Sequence, residues 1–200
     1  IVLWRKIDWL VVLRFGLPAM IATVPGAWLL TALSDLPEIH SYDFMSINAV
    51  ITPVKLTVGL LLIFFATAEW IPLLKNLNLS PKIMPVGGVL SGFFGGLSGH
   101  QGAFRSAFLI RAGLDKNQFV ASNAAIAALV DITRLTVYGL NITLLLSQVN
   151  TGLLAAATMA AFAGVLAGAI GLKKVTIDFV QNLVVVTLYT LGVLLAAGLI

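Results

Sequence analysis

Apolar runs long enough to cross a bilayer dominate this chain, and short polar segments separate them. A spanning helix needs about 20 predominantly apolar residues. Candidate spans of that kind cover residues 10–33, 47–70, 118–140, 152–172 and 176–200. Trp4, Trp9, Trp28 and Trp70 fall near their ends, where an aromatic belt would sit. Residues 83–113 are different in kind. They include GGVLSGFFGGLSGHQGAFRS, a glycine-rich run that closes on His, Gln and Arg. Glycine weakens a helix, and buried polar groups are costly. A membrane protein that places both at bilayer depth usually lines a site or a pathway with them.

Loop charges orient the spans. Arg5, Lys6 and Arg14 place the start of the first span in the cytoplasm. The next loop carries Asp35, Glu38 and Asp43 without Lys or Arg, which places it outside. Lys75 and Lys82 return the chain to the cytoplasm. If residues 83–97 crossed once, Arg105, Arg111, Lys116, Lys173 and Lys174 would all fall outside, against the positive-inside rule. If the segment enters and returns, Arg111, Lys116, Lys173 and Lys174 are cytoplasmic. The pattern therefore predicts a re-entrant pair of half-helices over residues 83–113, turning near Gly99–Gly102. Such backbone is tolerated only inside protein or beside a watery cavity.

Short repeats add a second layer. VPGAWLL at 24–30 is similar to LAGAIGL at 166–172, and TVGLLL at 57–62 to TLGVLL at 190–195. The charge pattern runs the two members of the first pair in opposite directions, as an inverted-topology repeat requires. The predicted fold is an all-α polytopic transmembrane bundle with a glycine-rich broken helix. Residues 1–82 form the last two helices of a first repeat, and residues 83–200 form a second repeat of hairpin plus three helices. On this reading another hairpin and helix would precede Ile1, and the chain is part of a transporter. The opening WRKIDW runs into a full span without a cleavage site, so it is not a signal peptide.

Two rows of small residues run along the glycine segment, Gly88–Gly92–Gly96 and Gly87–Ser91–Gly95–Gly99. Packing between helices explains most of them, and the same reading covers Ala156, Ala160, Gly164 and Gly168. Packing does not explain the turn Ser98–Gly99–His100–Gln101–Gly102. A helix starting there presents free N–H groups and a partial positive charge to an anion. Ser98, His100 and Gln101 add donors, and Arg105 in the first turn adds a full charge. Against this stands the plainer reading that His100 and Gln101 satisfy broken backbone while Arg105 snorkels. Asn123, Ala127, Asp131, Arg134 and Tyr138 share one face of the following helix. Asp131 and Arg134 either neutralise each other, or Arg134 helps hold the anion while Asp131 carries a proton. His100 is the other coupling candidate, being titratable near neutrality. The candidate binding set is therefore Gly95, Gly96, Ser98, Gly99, His100, Gln101, Gly102, Arg105, Asn123 and Arg134.

Composition narrows the classes. The chain is 60% hydrophobic and only 10% charged, against about 25% charged for a soluble domain. The basic residues form no stripe with aromatics, which argues against nucleic-acid binding despite the net charge of +4. There is no cysteine, so disulfides, thiol redox and thiolate metal sites are absent. With two histidines and few carboxylates, no metal centre is expected and no cofactor is implied. No nucleophile–base set is readable, so an enzyme is disfavoured.

The run GGVLSGFFGGLSGHQGAFRSAFLIRAGL resembles the second half of the sulfite exporter TauE/SafE family, and RKIDWLVVLRFGLPAMIATVPGAWLL resembles its late first half. The resemblance covers essentially the whole chain and is most specific over residues 92–113. It implies a multi-pass permease of the bacterial inner membrane, built of two related halves and exporting sulfite, a small organosulfonate or a related sulfur compound. It places the family's glycine turn on Gly95, Gly96, Gly99 and Gly102, beside His100; Gln101 and Ala103 stand where many members carry more glycine. The expected partners are a small anion and the lipid bilayer, with protons as the coupling candidate. A passive anion channel and a structural membrane protein are the alternatives, and oligomerisation with further copies stays open.

Overall fold

Where glycine replaces a side chain, two helices can approach until their backbones touch, and the fold is organised around two such contacts. The computed structural model describes residues 4–44, 47–70, 83–99, 102–110, 112–139, 151–171 and 177–200. Helix α1 runs Trp9–Ser34, with a π-helical turn at Val12–Gly16. Asp8 caps it, its Oδ1 accepting from the Val11 N–H at 3.1 Å. A short hairpin of β1 (His40–Phe44) and β2 (Ile47–Ile51) follows, then α2 (Pro53–Trp70). Next come α3 (Met84–Ser98), α4 (Gly102–Leu109), α5 (Lys116–Gly139), α6 (Thr151–Gly171) and α7 (Ile177–Ala196).

The hairpin corrects the expected span at 47–70. Residues 47–51, INAVI, pair antiparallel with 40–44, and the helix starts only at Pro53. β-Branched residues alternating with small or polar ones suit a pleated strand, whereas apolar content alone had suggested helix. The hairpin is tied to the end of α7: the Val50 N–H donates to the Gly198 carbonyl at 3.0 Å, and Tyr42 Oη donates to the Ala197 carbonyl at 2.7 Å. Two helices, Trp9–Ser34 and Lys116–Gly139, are long and apolar enough to cross a membrane.

The first glycine contact joins α1 to α3. Cβ atoms built at Gly88, Gly92 and Gly96 would meet the carbonyls of Phe15, Ala19 and Thr23, and one at Gly26 would meet that of Phe93, all at 2.0–2.3 Å. Partners rise together along both helices, so α1 and α3 run parallel. Thr23, fully buried, donates from Oγ1 to Ala19 O at 2.7 Å and to Gly92 O at 3.1 Å. The second contact joins α2 to α7. A Cβ at Gly59 would lie 2.6 Å from Gly192 O, and one at Gly192 would lie 2.9 Å from Gly59 O. The start of α2 sits beside the end of α7, so this pair is antiparallel.

Helix α4 doubles back on α3. A Cβ at Gly87 would strike the Phe108 ring, so residue 108 has returned to the level of residue 87. Helix α5 then runs parallel to α1 and α3. Ser122 Oγ accepts from the Asp8 N–H at 2.9 Å near one end, and Tyr138 reaches Gly96 near the other. Val11, Val12, Phe15, Ala19, Met84, Phe108, Leu109, Ile126 and Val130 form the core enclosed by α1, α3, α4 and α5. Residues 151–164 of α6 are exposed throughout. The packing role expected of Ala156, Ala160 and Gly164 therefore has no partner among the described residues, and the Gly168 side of α6 lies outside them.

Candidate functional site at the glycine turn

Helix α3 ends because Gly99 adopts φ +76°, a left-handed conformation that suits glycine. The Gly99 N–H closes the last turn onto the Gly95 carbonyl at 2.9 Å. The remaining carbonyls at this end would be unpartnered without help from α5. Tyr138 Oη donates to the Gly96 carbonyl at 2.7 Å, and Arg134 Nη1 lies 3.5 Å from that of Gly95. A cation placed there also complements the negative end of the helix dipole. Arg134 sits so close that a Cβ at Gly99 would lie 2.3 Å from its Nη1. The backbone angle favours glycine at 99, and a side chain there would push the Arg134 guanidinium aside.

Arg134 also pairs with Asp131 one turn earlier, Nη2 to Oδ1 at 3.3 Å. Its Nε is buried with no hydrogen-bond partner. Arg105, from the first turn of α4, is 7% exposed. Its Nε donates to Asn123 Oδ1 on α5, while its Nη1 is buried and has no partner among the described residues. Arg105 is thus anchored on α5 at Asn123, about two turns before Asp131.

The described residues of the predicted set fall in two places along α5: Gly95, Gly96, Ser98, Gly99 and Arg134 lie at the end of α3, and Arg105 is held at Asn123, three turns of α5 before Arg134. Gly95 and Gly96 are buried and offer carbonyls to α5. Ser98 Oγ donates back to the Phe94 carbonyl at 3.0 Å. Nothing described lies within 4 Å of a Cβ built at Gly102. Arg134 is engaged with α3 and Asp131 and Arg105 with Asn123, and each keeps one buried nitrogen without a partner among the described residues. His100 and Gln101 lie outside the described residues. Tyr138 was read from the sequence only as part of the polar face; its part in capping α3 depends on the parallel packing of α3 and α5, which no local pattern encodes. Among the described residues no cluster of His, Asp and Glu could hold a metal ion.

A buried guanidinium that keeps one nitrogen free in the first turn of a helix can take a small anion: that nitrogen and the free amides of α4 would both donate. Comparison with curated proteins and with solved structures gave no match. The family model described as sulfite exporter TauE/SafE matches residues 1–195, nearly the whole chain, and its members are membrane transporters of sulfite and related sulfur anions. On that match the chain belongs to the sulfite exporter TauE/SafE family.

Proposed function

We propose that this chain exports a small sulfur-containing anion, such as sulfite or an organosulfonate, across the inner membrane, holding it at the turn between α3 and α4. The observation that carries the proposal is Arg105: 7% exposed, held at Nε by Asn123, with Nη1 unpartnered. A buried cation with a free donor is costly unless something negative completes it. The antiparallel course of α3 and α4 supports a re-entrant hairpin, which brings the α4 N-terminus to bilayer depth without a crossing.

The inverted repeat belongs to the same proposal. TVGLLL and TLGVLL supply Gly59 and Gly192, and each of these glycines approaches the carbonyl of the other. Mutual contact between equivalent positions is what a two-fold axis between antiparallel α2 and α7 would produce. Alternating access would then rock one repeat against the other around the turn. Asp131, ion-paired with Arg134, is the candidate proton carrier together with His100.

The test is efflux of labelled sulfite from proteoliposomes holding the intact protein. Export should saturate with sulfite, and Arg105→Gln should slow it about tenfold or more, the loss expected for charge-assisted hydrogen bonds. Non-saturating flux would favour a channel. Equal rates in Arg105→Gln and wild type would refute the site.

A further inference from the structure

The Trp9 end of α1 carries an exposed group of cations that the glycine turn does not use. We propose that it binds an anionic phospholipid, with the headgroup phosphate between Arg14 and the Arg5–Lys6 pair and an acyl chain lying along α1. This surface is separate from the proposed anion site, and neither depends on the other.

Trp4, Arg5 and Lys6 form a short 3-10 turn just before α1, and all three are exposed. The Trp4 and Trp9 rings meet edge to face, 5.8 Å between centroids, and both stand out from the protein, 68% and 51% exposed. Indole rings in such a position settle at headgroup level. Arg14 lies about 7.5 Å further along the helix than Trp9. Helical side chains lean towards the N-terminus, so its guanidinium is carried back towards the level of the rings. Arg14 belongs to the π-helical turn Val12–Gly16, in which Val12, Phe15 and Gly16 face the core while Leu13 and Arg14 face outwards. π-Helical turns occur often at functional positions.

Among the described residues no carboxylate pairs with Arg5, Lys6 or Arg14. The carboxylates described at this end are engaged in capping helices. Asp8 Oδ1 accepts from the Val11 N–H at 3.1 Å, and Asp115 Oδ1 accepts from the Asn117 and Gln118 N–H groups at 2.8 Å. Lys116, which opens α5, adds another exposed cation. Deeper along α1, Leu17 and Ile21 follow Arg14 at helical spacing and are 49% and 73% exposed. Cations thus stand above an apolar strip. A phosphate joined to an acyl chain matches that order, whereas a free anion or a nucleic acid would leave the strip bare. A guanidinium also holds a phosphate through paired N–H donors, which favours an anionic lipid over a zwitterionic one whose own cation competes.

The experiment titrates phosphatidylglycerol and phosphatidylcholine with identical acyl chains into the intact protein in neutral detergent, and reads bound lipid by native mass spectrometry. Wild type should hold phosphatidylglycerol about tenfold more tightly or better. Arg14→Gln should weaken phosphatidylglycerol about fivefold and leave phosphatidylcholine unchanged. The same loss of charge at the other end of α1, Lys55→Gln, should change neither, since Lys55 donates to the Val50 carbonyl beside the hairpin. Equal affinity of wild type for the two lipids, or retention of neither, would overturn the proposal without any variant having to fold. Equal losses in Arg14→Gln and Lys55→Gln would overturn it in favour of diffuse attraction. Displacement of phosphatidylglycerol by inorganic phosphate, but not by chloride at equal ionic strength, would assign the surface to a free anion instead.

Discussion

Replacing Gly92 with alanine adds one methyl group at the tightest point between α1 and α3. That carbon would lie 2.0 Å from Ala19 O and 2.6 Å from Ala19 Cα. Ordinary contact begins at 3.4 Å, so the helices must part locally by about 1.4 Å. Both obstacles are backbone atoms, and no rotamer can relieve them. Parting also stretches the bond from Thr23 Oγ1 to Gly92 O, now 3.1 Å. Overpacking of this kind costs about 1–3 kcal/mol, and the buried hydrogen bond adds about 1 kcal/mol. Alanine's better helix propensity returns about 1 kcal/mol. Gly92→Ala should therefore destabilise by about 1–3 kcal/mol. Gly164→Ala is the control, because nothing described lies within 4 Å of its Cβ; it should be neutral or stabilising by up to about 1 kcal/mol. Reversible unfolding in mixed micelles compares the two midpoints. A Gly92→Ala protein as stable as Gly164→Ala would show that the backbones do not touch there.

The remaining predictions concern the turn and the second glycine contact. Gly99→Ala should destabilise, since φ +76° opposes a Cβ, and should weaken sulfite binding by displacing the Arg134 guanidinium, whereas Gly102→Ala should fold normally; thermal unfolding with and without sulfite distinguishes them. Tyr138→Phe leaves the Gly96 carbonyl without its donor and should cost about 1 kcal/mol, measurable as a shift in the denaturant midpoint. Gly59→Ala and Gly192→Ala disturb one shared contact, so their destabilisations should not add; a double-mutant cycle should show coupling of about 1 kcal/mol or more, and strict additivity would place the glycines apart.

Glycine spacing carried much information about packing but not about partners. The row Gly88–Gly92–Gly96 reads as a groove, and α1 lies in it. The other row meets different neighbours: Gly87 faces Phe108, and Gly95 and Gly99 face Arg134. No local pattern could reveal that, because it depends on α4 turning back and α5 running parallel to α3. The β-hairpin was missed because INAVI is apolar enough to extend a span, while its strand pairing is a contact with residues 40–44. In the site, helical spacing put Asn123, Asp131, Arg134 and Tyr138 on one face, but spacing cannot say which of them caps a neighbouring helix. The division of labour between Arg134, which meets α3, and Arg105, which meets Asn123, comes from tertiary packing.

The account stands or falls on Arg105 as the group that receives the anion. Thermal unfolding of the intact protein across a sulfite titration, for wild type and Arg105→Gln in parallel, tests this most directly. Saturating sulfite at about 100 times its dissociation constant should stabilise wild type by about 2.7 kcal/mol and leave Arg105→Gln unmoved. Equal stabilisation of the two proteins, or none in wild type, would contradict it.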